Sequence, residues 1–299
     1  ESREDLSSAI ALNSSMVNGS RLIGPSLAGL IIAAWGEGYC FLLDGVSYIA
    51  VIVSLLAMVV SRQEVKRERP GVRHELLEGW RYVSRFAPIR SILLLLALVS
   101  FAGMPYMALL PMFAGNILGG GADTLGFLMA ATGCGALAGA LTLAMRRTVV
   151  GLGRIITWAS ITFGVALVVF ALSRWTWLSL FLMVLAGFGM MQQLAASNTI
   201  LQTIAEEDKL GRVMSYYAMA FMGAAPFGSL AAGWAASRIG TPFTLVIGGG
   251  VCVAGGIWFA TRLPHIRKLV RPIYAQLGII PQMAAGIQAA TALQVPPEE

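Results

Sequence analysis

Charged residues are scarce in this sequence: Asp, Glu, Lys and Arg make up 12% of its 299 residues, whereas apolar residues make up 57%. The apolar residues form eight long runs, at 9–34, 39–60, 91–116, 124–145, 152–173, 176–200, 213–236 and 242–261. Soluble cores are built from shorter amphipathic pieces, so one large soluble core is disfavoured. A helix needs about 20 apolar residues to cross a bilayer, and it satisfies its own backbone hydrogen bonds there. The sequence therefore predicts an all-α polytopic membrane protein.

Residues that are typical of enzyme sites are also few. The two histidines, His74 and His265, lie in polar segments far from any set of metal ligands. The three cysteines lie in separate apolar runs and suggest no disulfide framework. No GxxxxGK[ST] segment is present, so the sequence gives no sign of an ATP site. We therefore predict no enzyme activity, no metal site and no cofactor.

The basic residues alternate between the two sides of the predicted membrane. If the first run crosses outward from the cytoplasm, 18 of the 21 Lys and Arg residues lie in cytoplasmic segments. The external loops then hold only Arg174 and Arg238. This asymmetry follows the positive-inside rule and places both ends of the chain in the cytoplasm. Because the basic residues are spread over several loops, they favour contact with anionic lipid over binding of nucleic acid.

An internal repeat suggests how the chain is organised. The segments that contain the first and seventh runs match at an offset of about 204 residues, at Leu6 and Leu210, Gly29 and Gly233, and Gly36 and Gly240. Parallel six-helix halves are a transporter architecture. On this basis residues 1–61 hold the last two helices of a first half, and four helices are missing ahead of them. Residues 62–90 form a cytoplasmic linker with an amphipathic helix on the inner surface; the alternative is a solvated connector. Residues 91–262 form a second six-helix half, and 263–299 a cytoplasmic tail.

The first two runs contain a motif that resembles a known family. The segment DLSSAIALNSSMVNGSRLIGPSLAGLIIAAWG, followed by the run at 39–60, resembles the fifth and sixth helices of the major facilitator superfamily. It is most similar to the enterobactin-exporter-like branch, also called transmembrane secretion effectors. The resemblance implies an N-terminally truncated major facilitator fold with eight of twelve transmembrane helices. It also implies export of a siderophore or a drug such as a macrolide across a bacterial inner membrane, by alternating access and driven by protons.

The resemblance also assigns roles to two groups of residues. Gly24, Pro25 and Gly29 match the fifth-helix motif of exporters, which is associated with gating; the alternative is simple helix packing. A degenerate copy of the superfamily's cytoplasmic loop motif is present at Gly139, Arg146, Arg147, Gly151, Gly153 and Arg154. The alternative for this copy is an ordinary basic inner loop.

Two charged residues lie more than one helical turn inside apolar runs, where burial is costly and charge usually has a function. Arg21 lies near the predicted midplane, facing a central cavity or a helix that precedes this chain. Asp44 lies about five residues inside the outer end of the next run, as a protonatable coupling site or a polar residue in contact with water. A direct pair is not expected, because the two backbones differ in depth by roughly 12 Å.

Neutral polar and aromatic residues add further candidates for a binding site. Asn13 and Asn18 lie on the first run, whereas Gln193 and Asn198 lie on the sixth. The spacing of Gln193, Ser197 and Gln202 suggests one shared face, towards a wet cavity or another helix. Tyr106, Phe113, Tyr216 and Tyr217 either line a cavity or pack, and the glycines at 248–250 indicate close helix packing.

The predicted partners are therefore the lipid bilayer, a small-molecule substrate and four preceding helices of the same protein. A membrane scaffold or sensor without transport activity, a lipid flippase and a polytopic membrane enzyme remain as alternatives.

Overall fold

The structure is a computed structural model that describes residues 37–57, 79, 81–146, 148–206 and 209–276. The chain forms two compact units, Glu1–Pro70 and Gly71–Glu299. The described residues contain helices and turns and no strand. The predicted all-α class is therefore confirmed.

In the first unit the described element is helix α1, Glu37–Ala57. It corresponds to the second apolar run, and its segment Phe41–Ala57 is a short apolar helix. Its described side chains are all exposed. The first run, at 9–34, lies outside the described residues.

The second unit contains all six of the remaining runs as helices. In chain order these are α2 (Ala87–Ala102), α3 (Tyr106–Met112), α4 (Ala122–Ala144), α5 (Leu152–Leu172), α6 (Thr176–Ile204), α7 (Leu210–Ala218), α8 (Ala224–Ile239) and α9 (Thr241–Gln276). Within the described ranges, five helical stretches are long and apolar enough to cross a membrane. They are Ala87–Ile117, α4, α5, α6 and α9.

Two of these runs are interrupted, which the apolar pattern did not predict. The stretch Ala87–Ile117 turns between α2 and α3 and ends in a π-helical segment, Phe113–Ile117. The seventh run is divided by a second π-helical segment, Met219–Gly223, between α7 and α8. Proline lies close to both, because Pro111 is inside α3 and Pro226 is in the first turn of α8. Proline removes a backbone donor and disturbs the regular hydrogen-bond ladder.

The helices pack through glycines that leave no room for a side chain. In the α4–α6 contact, a Cβ on Gly135 would collide with the Val184 carbonyl, and a Cβ on Gly187 with the Thr132 carbonyl. Small residues of this kind let helix backbones approach closely in membranes. Helix α5 lies between α6 and α9, and α2 contacts both α8 and α9.

The glycine run at 248–250 partly confirms its predicted packing role. A Cβ on Gly248 would meet the Ala102 carbonyl, and one on Gly249 would lie 2.6 Å from the Gly164 carbonyl oxygen. No described atom lies within 4 Å of a Cβ on Gly250. Two of the three glycines therefore serve close packing.

Helix α9 is longer than the sequence suggested. The predicted run stops at residue 261, whereas the helix continues through Pro264 and Pro272 to Gln276. Leu263, Ile266 and Val270 are buried at helical spacing along this extension and hold it against the bundle. The location of residues 263–299 outside the membrane stays a prediction.

Candidate functional site

A polar stripe runs along the buried side of α6. Gln192 lies towards α4, where its Nε2 donates to the Thr142 Oγ1 at 2.7 Å. Gln193 and Ser197 are fully buried, and their side-chain polar atoms have no hydrogen-bond partner among the described residues. Buried polar atoms are nearly always paired in folded proteins. This stripe is therefore the strongest candidate for a functional site, where polar groups are present for function and not for stability.

The predicted shared face of Gln193, Ser197 and Gln202 is wrong for its last member. Gln202 is exposed, and its Nε2 donates to the Asn198 Oδ1 at 2.7 Å. At 3.6 residues per turn, nine residues of helix place Gln202 about half a turn away from Gln193. The structure therefore separates two polar groups: Gln193 with Ser197 in the core, and Asn198 with Gln202 at a more accessible side.

The aromatic candidates of the third run pack in the core. Tyr106 is fully buried and meets Phe163 edge-on, with ring centroids 5.9 Å apart. Phe113 is also fully buried and lies 4.8 Å from the Phe170 ring. The Tyr106 hydroxyl lies beside Thr132 without a hydrogen bond of ordinary geometry. Packing, and not an open cavity, is the outcome for both aromatic residues.

The tyrosines of α7 are half-buried and link it to its neighbours. Tyr217 donates its hydroxyl hydrogen to the Leu194 carbonyl at 3.2 Å, which ties α7 to α6. Tyr216 lies beside Gly79, in the segment that precedes α2. Tyr217 therefore joins α7 to the same helix that bears the buried amide of Gln193.

The second π-helical segment is supported by a neighbouring helix. The Ser100 hydroxyl, which is buried on α2, donates to the Phe221 carbonyl inside this segment. A π-turn displaces carbonyls from the regular ladder, and π-turns are frequent at functional sites. The apolar pattern gives no sign of either π-helical segment; Pro111 and Pro226 are the local signals that could have indicated them.

Ser100→Ala is expected to lower the free energy of unfolding by about 1 kcal/mol, because it removes the hydrogen bond from buried Ser100 to the partly buried Phe221 carbonyl. The measurement is chemical or thermal unfolding in detergent. Ser160→Ala is the matched control, since Ser160 is equally buried but donates to the Ile156 carbonyl of its own helix. Equal losses in both variants would contradict a special role for the Ser100 bond.

The loop motif after α4 forms a tight structural turn. The Arg146 Nη2 donates to the Val150 carbonyl at 3.2 Å, and the Val150 amide donates to the Thr148 Oγ1 at 3.1 Å. Gly151 has a φ of +89°, a conformation that glycine adopts at little cost. Arg154 is exposed, and Arg147 lies outside the described residues.

Gly139 belongs to a different environment from the rest of this motif, because it packs against the Phe188 carbonyl of α6. The described members of the motif therefore shape a turn and a helix contact. They do not meet at one site.

The candidates of the first run cannot be placed. Asn13, Asn18, Arg21, Gly24, Pro25 and Gly29 lie outside the described residues, and their roles stay predictions. Asp44 is exposed on α1, where its backbone carbonyl accepts a hydrogen bond from Ser47 at 2.7 Å. In the described part of the chain, no group of three His, Cys, Asp or Glu residues is arranged to hold a metal ion.

Comparison with known proteins covers nearly all of this chain. Residues 2–274 match the family of transmembrane secretion effectors. The chain is 24% identical over 258 residues to the uncharacterized MFS-type transporter YfmI of Bacillus subtilis. It is 24% identical over 259 residues to the Staphyloferrin A transporter of Staphylococcus aureus.

Each alignment covers 85% of this chain and 64% of the relative. The chain thus spans less than two thirds of the length of these relatives. That four helices precede residue 1 stays a prediction.

Proposed function

Because this chain belongs to the transmembrane secretion effector family of major facilitator transporters, we propose that it works within a secondary active transporter. The transporter exports small amphipathic molecules across a bacterial inner membrane by alternating access. Both ends of this chain lie in the cytoplasm. A siderophore is the first substrate class to test, because one similar protein is named a Staphyloferrin A transporter. Drugs such as macrolides are the second.

The observation that supports transport best is the pair of interrupted helical runs. The segments Phe113–Ile117 and Met219–Gly223 are π-helical turns within two apolar runs that would otherwise form regular α-helices. Transporters place binding and gating elements at broken helices, since freed backbone groups are tolerated only against protein or a wet cavity. In this chain the Ser100 hydroxyl on α2 donates a hydrogen bond to the Phe221 carbonyl in the second π-helical segment.

We propose the proton gradient as the energy source, with Asp44 and Arg21 as coupling residues. Asp44 is a carboxylate in the interior of α1, within its apolar part Phe41–Ala57, whereas Glu37 is the first residue of the helix. Arg21 is the basic residue that the apolar pattern places deepest in a predicted run. Ionisable groups inside membrane helices usually mark ion and substrate pathways.

The test is accumulation of labelled substrate in inverted membrane vesicles from cells that express the gene. Staphyloferrin A, a catecholate siderophore and a macrolide are compared, each with and without a protonophore. Accumulation that the protonophore abolishes is the expected result for at least one of them. If all three fail to accumulate while the protein is present in the membrane, export of these substrate classes is wrong.

Arg21→Ala is expected to reduce proton-driven accumulation by at least about tenfold, since it removes a charged group that we place in the coupling pathway inside the membrane. Arg174→Ala, in a predicted external loop, removes the same charge and is expected to leave accumulation unchanged. The readouts are initial uptake rate and the amount of protein in the membrane. Full transport by Arg21→Ala at normal expression would contradict the coupling role.

A further inference from the structure

A cavity of about 570 Å³ lies at the end of the second unit where α6 and α9 both terminate. Its third wall is the segment 81–86, which precedes α2. The wall is fixed to the end of α6, because the Glu206 amide donates to the Tyr82 hydroxyl at 3.3 Å. We refer to this space as the basic cavity, because exposed basic residues are frequent on the elements that line it.

The lining of the basic cavity has an apolar and a polar part. Tyr82, Phe86 and Ile273 supply apolar surface from the segment 81–86 and from α9. Arg85 and Gln276 supply polar groups at the rim, where both are exposed. A site with these two surfaces suits a ligand that has an anionic head and an apolar body.

Exposed basic residues are frequent on the elements that line the cavity. The last turns of α9 bury an apolar stripe and expose Arg262, Arg267, Lys268 and Arg271. On the segment 81–86, the exposed basic residues are Arg81 and Arg85, and Arg90 is exposed in the first turn of α2. The acidic residue that lines the cavity is Glu206, and Glu207 and Asp208 lie outside the described residues. Among the described residues, basic groups therefore clearly exceed acidic ones.

Arg81 and Arg85 are the pair best placed to hold an anion. They are four residues apart within one short helical stretch, so both point to the same side of it. Arg85 itself lines the cavity. Guanidinium groups bind phosphate oxygens in bidentate fashion, and basic pockets beside membrane helices attract anionic lipid heads.

We propose that the basic cavity binds the phosphate headgroup of an anionic phospholipid, with Arg81 and Arg85 on the phosphate. A lipid fits better than free phosphate, because Phe86 and Ile273 offer apolar surface that an acyl chain can cover. The site joins the segment before α2 to the ends of α6 and α9, so a bound lipid would hold these three elements together. This inference does not depend on the transported substrate.

The test is lipid retention by the purified full chain in detergent, measured by native mass spectrometry after addition of phosphatidylglycerol or phosphatidylcholine. The wild-type protein is expected to retain phosphatidylglycerol preferentially. The double variant Arg81→Gln/Arg85→Gln is expected to lose about tenfold or more of that preference, because each basic residue near an anionic headgroup contributes to its binding. Retention is read on the folded, monodisperse fraction only.

Arg174→Gln/Arg238→Gln is the matched control. It removes the same charge from the other end of the bundle, since Arg174 lies before the start of α6 and the cavity lies at its end. The control is expected to keep the wild-type preference. Equal losses in both double variants, or none in either, would overturn the proposal. Complete displacement of phosphatidylglycerol by millimolar inorganic phosphate would overturn its lipid part.

Discussion

Gly249→Ala is expected to lower the free energy of unfolding by about 1–3 kcal/mol, the usual cost of overpacking a tight core. The added Cβ would lie 2.6 Å from the Gly164 carbonyl oxygen and 2.8 Å from a Val168 methyl group. A backbone carbonyl cannot rotate away as a side chain can, so α5 and α9 would have to separate. The same contact is tight from the other side, where a Cβ on Gly164 would lie 2.5 Å from the Gly249 carbonyl. The measurement is unfolding in mixed detergent micelles.

Gly250→Ala is the matched control one residue further along the same helix. No described atom lies within 4 Å of its added Cβ, so the substitution brings only the better helix propensity of alanine, a gain of up to about 1 kcal/mol. Opposite signs for these two neighbouring substitutions are therefore expected. A loss at Gly250 as large as that at Gly249 would contradict the close approach of α5 and α9.

Helix class and approximate bounds could be predicted from this sequence because length and apolar content decide both in a bilayer. Every described run is helical over most of its length, with a turn at 103–105 in the third run. Length and apolar content could not predict the two π-helical segments, since a π-turn changes the hydrogen-bond register without changing hydropathy. Apolar content also did not predict the extension of α9 to Gln276. The apolar run ends at residue 261, but the buried side chains of Leu263 and Ile266 hold the following helix to the bundle.

The candidate site was predicted in part. The spacing of four residues correctly predicted that Gln193 and Ser197 lie on one side of α6. Gln202 lies nine residues after Gln193, and the helix turns by about half a turn over this distance, so Gln202 lies on another side. The sequence could not decide between cavity and core for Tyr106 and Phe113, because an aromatic ring on an apolar helix suits either place. Only the contacts with Phe163 and Phe170 distinguish them.

Gln193→Met is expected to raise the free energy of unfolding by about 1–2 kcal/mol, because it removes buried polar atoms that have no partner among the described residues. Methionine nearly matches glutamine in volume, so little repacking is needed. In the same protein, substrate accumulation is expected to fall about tenfold, the effect of losing one hydrogen bond of about 1.4 kcal/mol during transport. The two measurements are unfolding in detergent and initial uptake rate in inverted vesicles.

The opposite directions of these two effects separate a functional amide from a structural one. If the amide only stabilised the fold, its substitution would make the protein less stable, and transport would fall as a result. Gln202→Met is the control, since Gln202 is exposed and pairs with Asn198 at the accessible side of α6; stability is expected to change by less than about 0.5 kcal/mol. A less stable Gln193→Met protein would show that the amide is satisfied in the folded state. If the variant is more stable and uptake is normal, Gln193 is not part of the transport site. The interrupted helices would then be the remaining structural support for the proposed transport function.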